Sequence, residues 1–317
     1  MKIAAAAYPI EWHNRWNEYV GKLRVWVRTA AENGAELLVF PEYGALELTS
    51  LAGEDNASDL QRSIDAVSAR IGDVDELHAS LAREFEVHIC AASAPVRGRG
   101  GGPTRNRARL FAPDGSLGVQ DKLIPSRFER EEWGIAPGEA LRVFDTALGR
   151  IGIAICYDAE FPLIARAMVD AGAEVLLVPS CTGSMRGYWR VRLGAMARAL
   201  ENQCAVVQAV TVGPADWSPA VASTVGAAAI YAPPDPGLPE DGVIAIGKLN
   251  VPGWVYGEVS REDMAEARQA GVAFNHRHWA EQDARLQSVE TLTLGTTLGT
   301  ALDTTLGTTL GSAADVS

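Results

Sequence analysis

Cysteine is scarce in this chain. The four that occur in 317 residues stand at 90, 156, 181 and 204, with no Cys-x-x-Cys pair and none at useful spacing from a histidine. That argues against a disulfide scaffold and against structural zinc. His276 and His278 alternate around Arg277 without an acidic or thiol partner at ligand spacing, so no metal site is expected there. Positive charge is also short: 28 Lys and Arg face 40 Asp and Glu, a net charge of −12. A surface that tracks phosphates is therefore not expected, and nucleic acid is a poor candidate partner. No apolar run is long enough to cross a bilayer. The start, Met1–Ile10, is too short to span one and lacks a signal-peptide cleavage pattern before the charged Glu11–Arg15 stretch, so it reads as the first strand of a cytoplasmic protein. Gly-x-Ser-x-Gly is missing, which removes the usual signal for serine hydrolysis. Gly98-x-Gly100 lacks the third glycine of a dinucleotide site, and Pro103-Thr104 does not open an apolar helix, so 98–103 is a glycine/arginine loop and no cofactor is expected.

What is present is apolar and regular. Hydrophobic residues make up 47% of the chain, enough to bury a large core in a single α/β domain. Trp16, Tyr19, Val20, Leu23, Val27 and Ala30 mark one helix face, which Asn33-Gly34 would end. Leu60, Ile64, Val67 and Ile71, then Leu77, Leu81 and Phe85, repeat that period before the strand Val87–Ala92. The unit then returns. Gly34-Ala-Glu-Leu-Leu-Val-Phe-Pro41-Glu42-Tyr43 and Gly172-Ala-Glu-Val-Leu-Leu-Val-Pro179-Ser180-Cys181 keep Gly-Ala-Glu, the apolar run and the proline in register. A helix around Trp189, Leu193, Met196, Ala197 and Leu200 feeds the strand Cys204–Val210, as the earlier helix feeds Val87. Two such halves, each a sheet covered on one side by helices, would stack sheet on sheet. A main domain is placed at 1–262, a bound that rests on the resemblance given below, with a partly helical extension over 263–288. From 289 to 317 the chain turns to Thr-Thr-Leu-Gly repeats, a composition with little to bury and expected to lack fixed structure.

Cys156 ends the strand Arg150–Ile155 and precedes Tyr157-Asp158-Ala159-Glu160-Phe161-Pro162, where a helix would start. A strand end would leave the thiol partly exposed, and unpaired N–H groups of the next turn would lower its pKa. Two other segments end in complementary groups: Pro41-Glu42 after an apolar strand, and Lys122 in Val119-Gln-Asp-Lys122-Leu-Ile-Pro125. Each also has a plainer reading: Cys156 as a core thiol like Cys90 and Cys204, Lys122 as a surface lysine, and Glu42 as a solvated turn carboxylate like Glu47.

Glu42, Lys122 and Cys156, in this order and within Cys-Tyr-Asp-x-Glu-Phe-Pro, resemble the nitrilase superfamily of carbon–nitrogen hydrolases. The resemblance covers roughly residues 1–262. It implies an α-β-β-α sandwich of two stacked sheets with internal pseudo-twofold symmetry. It also implies the roles: Cys156 as nucleophile, Glu42 as general base and acid, and Lys122 with the backbone N–H of Tyr157 holding an oxyanion. A second glutamate six residues before a Pro-Gly pair lands on Glu131, counting from Pro137-Gly138, with Glu129 and Glu132 as neighbouring candidates; it would position Lys122 or the substrate. Arg198, Glu201 and Asn202 match a structural helix end, and Asp158 and Glu160 would organise the turn after the nucleophile. Cys181, at the twin position of Tyr43, and Thr182 would line the pocket, together with Arg127 and the loops Thr182–Tyr188 and Trp217. The partner implied is a small-molecule amide, with a homodimer or larger homo-oligomer expected from the family. Tyr157-Asp158, where true nitrilases carry Trp-Glu, points to linear amides. The rivals are a nitrilase or an acyl transferase with the same site, and a non-catalytic binding protein of the same fold.

Overall fold

The computed structural model describes residues 1–286, 288–292 and 294. The expectation for the tail over 289–317 lies outside the described residues, apart from 289–292 and 294. Met1–Arg277 forms one compact unit; the second begins at His278, and its described part is a 3-10 turn over Trp279–Arg285.

The first unit opens with strand β1 (Lys2–Pro9) and helix α1 (Trp16–Glu32). Tyr19, Leu23, Val27 and Ala30 form the buried stripe of α1, while Trp16 and Val20 flank it half-buried. The helix ends at Asn33 because Gly34 follows at φ +78°, a conformation that costs other residues a Cβ clash. Next come β2 (Leu37–Val39), the short α2 (Glu54–Ala57), the long α3 (Leu60–Phe85) and β3 (His88–Val96). Asp59 caps α3, its carboxylate accepting from the N–H groups of Gln61 and Arg62. The hairpin β4 (Arg105–Phe111) and β5 (Leu117–Asp121) closes the first half.

The second half runs through β6 (Val143–Thr146), β7 (Gly149–Ile153), α4 (Pro162–Asp170), β8 (Val175–Ser180), α5 (Met185–Asn202) and β9 (Ala205–Pro214). Shorter strands β10 (Ser223–Thr224), β11 (Ala229–Tyr231), β12 (Val243–Ile246) and β13 (Gly253–Glu258) follow, then α6 (Arg261–Ala270). α6 carries the compact unit beyond residue 262, to Arg277.

Strand order is β5-β4-β3-β2-β1-β9-β8-β7-β6, so the two half-sheets are continuous rather than separate. β1 makes the joint: Ile3–Ala5 pair with β2 while Ala7–Pro9 pair with Val210–Val212 of β9. Alternation along the strands then divides the core. Ile3, Ala5, Ala7, Leu37, Val39 and Cys90 pack into one cluster with Val175, Leu177, Val207 and Val210 of the other half. Ala4, Ala6, Tyr8, Leu38 and Phe40 turn the opposite way, onto Leu23 and Val27 of α1 and Ile64 and Val67 of α3. Each half-sheet thus has a helix-covered face and a face shared with its twin. Leu37, Leu38 and Val39 are fully buried, as a central parallel strand requires, and burying each side chain stabilises the fold by about 1.5–3 kcal/mol.

Glu47 corrects an expectation. It is buried rather than solvated, accepts from the Tyr8 hydroxyl (2.9 Å) and the Glu11 N–H (2.8 Å), and pairs with Lys22. A buried carboxylate persists only with such partners, and these bind the 3-10 segment Gly44–Ala52 to the end of β1.

Candidate active site

Four chain segments converge beyond the strand ends. β2 stops at Val39, and Tyr43 turns left-handed at φ +57°, which releases the Glu42 side chain from the sheet. The β4–β5 hairpin delivers Lys122 directly after β5, where its N–H donates to the Asn106 carbonyl at 2.8 Å. A single π turn over Glu129–Trp133 buries both of its ends. Beyond β7, Cys156 itself takes a left-handed conformation, φ +48°, at the head of the five-residue 3-10 turn Cys156–Glu160. A non-glycine residue held there is strained, as is common where a reactive group must be aimed.

The side chains form one buried network. Lys122 Nζ lies 2.7 Å from Glu42 Oε1 and 2.6 Å from Glu129 Oε2. Asn106 Nδ2 donates to the same Glu42 oxygen at 2.9 Å and to Glu129 Oε1 at 3.3 Å. The Cys181 N–H donates to Glu42 Oε2 at 2.9 Å, and the Cys181 carbonyl lies 3.8 Å from Cys156 Sγ. Glu42 and Cys156 are close enough for each to shift the other's proton affinity. Glu129 also accepts from the Tyr43 hydroxyl and from the Ser126 N–H (2.6 Å). Asp158 ties the Cys156 turn to the lysine segment, accepting from the N–H groups of Leu123 (3.1 Å), Ile124 (2.8 Å) and Ile155 (3.3 Å).

Burial sets the electrostatics. It pushes the Glu42 carboxyl up to about 7, against the Lys122 charge and with the Glu129 charge. Burial alone would neutralise Lys122, but Glu42 and Glu129 outweigh it and hold the ammonium well above its usual range. Glu129 goes the other way: burial opposes its charge, yet Lys122, Tyr43 and Ser126 keep it below the ordinary carboxylate value. Burial lifts Asp158 to about 6 despite Lys122 and the three N–H groups. The Cys156 thiol, expected partly exposed and acidified, is 6% exposed and pushed well above its usual value, by burial first and by the Glu42 charge second. The Lys122 charge opposes both without reversing them. The resting pair is therefore a neutral thiol beside a carboxyl that titrates near neutrality, suited to moving one proton between them.

These groups floor an open cavity of about 440 Å³ whose walls include Phe128, Trp133, Tyr157, Val191, Pro219 and Ala220. Arg127, Cys181 and Thr182 line it, with Gly183 and Gly187 from the 182–188 loop. The 217 region contributes through Pro219 and Ala220, while Trp217 stacks edge-on against Trp12. Arg190 bonds Glu160 (2.6 Å) and lies over the Tyr157 ring at the rim. Arg198 bonds the Ala159 carbonyl (3.1 Å) and Glu201 (3.0 Å), the structural part expected of it.

The geometry places Glu129, not Glu131, beside Lys122. The Glu131 side chain is 58% exposed and bonds Arg127 at 2.7 Å, whereas that of Glu129 is 3% exposed. In the π turn, Glu129 and Trp133 share the inward face and the residues between them point outward, so counting back from Pro137-Gly138 selects the wrong side. Sequence reading also missed Asn106 and the Tyr43 hydroxyl. A polar residue on the buried face of β4, in phase with Ala108 and Leu110, is the one signal Asn106 offers. Among the described residues, no group of three His, Cys, Asp or Glu is placed to hold a metal ion, and no helix is long and apolar enough to cross a membrane.

A buried Glu-Lys-Cys set with a second glutamate, at the ends of paired half-sheets, defines a class, and the sequence agrees with it. The chain belongs to the carbon–nitrogen hydrolase family, whose model matches residues 2–269. It is similar to a probable hydrolase of Bacillus subtilis, YhcX, at 33% identity over 272 residues, covering 86% of this chain and 52% of that protein. It is 33% identical over 201 residues to a deaminated glutathione amidase of Bos taurus, covering 59% and 58% of the two chains. The chain thus spans little more than half the length of these curated relatives. The crystal structure of a carbon–nitrogen hydrolase from Helicobacter pylori superposes with a TM-score of 0.73 at 19% identity, covering 91% of this chain and 98% of that one, a likeness of fold.

Proposed function

We propose that the chain is an amidase that hydrolyses a small linear carboxamide to its acid and ammonia through a thioester on Cys156. The observation that carries this reading is the buried network in which Glu42 meets Lys122 at 2.7 Å and the Cys181 N–H at 2.9 Å, with the Cys156 thiol beside the Cys181 carbonyl, at the floor of an open cavity. Glu42 takes the thiol proton as sulfur attacks the carboxamide carbon. Lys122 and the Tyr157 N–H hold the oxyanion, and Glu129 fixes the ammonium where that charge develops. Collapse of the tetrahedral intermediate breaks the carbon–nitrogen bond, and Glu42 returns the proton to the departing ammonia. Water deprotonated by Glu42 then hydrolyses the thioester and regenerates the thiol. No cofactor enters this scheme. Amides are favoured over nitriles by Tyr157-Asp158 after Cys156, where the resemblance puts Trp-Glu in true nitrilases.

The test is an ammonia-release screen over small amides, dicarboxylic monoamides, carbamoyl amino acids and nitriles, with Cys156→Ala as control. Ammonia and acid from one or more amides, abolished in the variant, is the expected result. Release from nitriles alone would replace the amide reading with the nitrilase one.

A further inference from the structure

Asn106 is fully buried at the inward face of β4 and touches both carboxylates of the site. Its amide orientation is dictated by its neighbours. A rotated side chain would press Oδ1 against Glu42 Oε1 and Glu129 Oε1, so Nδ2 must face the carboxylates. Oδ1 is left buried with no hydrogen-bond partner, a costly arrangement that an apolar side chain of the same size would avoid. Such a cost is consistent with a role for the donating end. Asn106 is also the cross-strand neighbour of Lys122, whose N–H its carbonyl accepts, so ammonium and amide approach the carboxylates from adjacent strands of one hairpin.

From this arrangement we infer that Asn106 is a positioning residue that holds Glu42 and Glu129 together around Lys122 and sets the pH at which Glu42 can accept the Cys156 proton. The inference rests on the amidase reading, in which Glu42 is the base. Glu42 has three donors: Lys122 at 2.7 Å, Asn106 at 2.9 Å and the Cys181 N–H at 2.9 Å. Glu129 has four: Lys122 at 2.6 Å, the Ser126 N–H at 2.6 Å, the Tyr43 hydroxyl, and Asn106 at the longer 3.3 Å. Removing Asn106 takes a full-strength bond from ionised Glu42 and only a weak one from Glu129. The ionised base is destabilised, so its titration moves to higher pH. The other titratable groups facing Glu42 stay in place: Lys122 after β5, Glu129 on the π turn, Cys156 on the nucleophile turn, Cys181 after β8, and Tyr43 beside it. The charge that opposes the shift is therefore that of Lys122. Loss of one neutral donor corresponds to a rise of about half to one pH unit.

The experiment follows modification of Cys156 by methyl methanethiosulfonate against pH, resolved by peptide mass spectrometry, so that it needs no knowledge of the substrate. Wild type, Glu42→Gln, Asn106→Ala and Asn106→Leu are compared. One Asn106 variant leaves space and the other fills it, and whichever keeps the wild-type melting midpoint is read. The expected result is a rate step near neutrality in wild type, lost in Glu42→Gln and moved up by about half to one pH unit without Asn106. A purely structural role would lower the rates and leave the step where it is, which would overturn the inference alone. A step that survives in Glu42→Gln would sink the base assignment, and this inference with it.

Discussion

The strand end at Glu42 and its twin at Ser180-Cys181 start alike and finish differently. Gly34 and Gly172 both take positive φ, and their N–H groups bond Ala31 and Val169 at the same 2.8 Å. Ala35 and Ala173 bond back to Ala30 and Met168, and Glu36 and Glu174 both donate to the neighbouring strand. Then the two part. β8 stays in register with β9 through Ser180, whose hydroxyl is absorbed by the Val178 carbonyl at 3.0 Å. β2 leaves the ladder at Val39, and the left-handed Tyr43 sends Glu42 toward Lys122. One half therefore supplies a buried carboxylate. The other supplies a peptide: the Cys181 N–H on Glu42 and the Cys181 carbonyl beside the thiol. A repeated fold can become asymmetric chemistry by ending one ladder three residues early.

The largest effect expected is from Cys156→Ala, which should abolish ammonia release while leaving the circular dichroism spectrum and melting midpoint close to wild type, since the side chain lost is small. Next comes the contrast between the twins. Glu42→Gln should lower kcat by about 10²–10⁴, the size of a lost general base. Ser180→Ala should change kcat by less than about tenfold, because its hydroxyl bonds only its own strand and a neutral hydrogen bond is worth about 0.5–1.5 kcal/mol. Equal losses at both positions would break the comparison. Lys122→Ala belongs with the large effects, a drop of at least about 10²–10³ in kcat, by analogy with loss of one oxyanion donor.

The second glutamate gives a smaller and sharper test. Glu129→Gln should cost well over tenfold in kcat, since it withdraws a charge from Lys122, whereas Glu131→Gln should stay near wild type because its partner Arg127 is itself exposed. The reverse order would reinstate Glu131.

The pH dependence has two expected signs. Activity needs ionised Glu42, so kcat/KM should fall as pH drops through about 7. Stability runs oppositely. Glu42 and Asp158, at about 7 and about 6, bind protons more tightly folded than unfolded, so their contribution is present below the ordinary carboxylate range and is lost as pH rises through 6 to 7. Glu42→Gln should flatten that slope in thermal melts recorded between pH 4 and pH 8, an interval of about one unit or more on either side of the two values.

Local patterning made much of this legible. Helical periods at Tyr19–Ala30 and Ile64–Leu81 and the doubled Gly-Ala-Glu run specify the two halves, and Glu42, Lys122 and Cys156 each stand at a strand end. What was not legible depends on distance or on backbone detail. Asn106 meets its carboxylate partners 64 and 23 positions away, so no spacing announces it. Counting six residues back from Pro137-Gly138 carries no information on which side of the turn faces Lys122, and so it lands on exposed Glu131 instead of buried Glu129. The thiol's environment is set by what covers it, not by its neighbours in sequence, and so the expected acidification is reversed. The pairing of β13 along β1 likewise joins Glu258 to Lys2 across the whole domain.

The central claim, that Cys156 carries the acyl group and Glu42 its proton, is tested most directly by rapid-quench peptide mass spectrometry of Glu42→Gln with an amide that the wild type hydrolyses. The account predicts a substrate-derived acyl adduct on Cys156 that forms slowly and persists, because the same glutamate is needed to release it. An adduct on Cys181, or undiminished turnover in this variant, would contradict it.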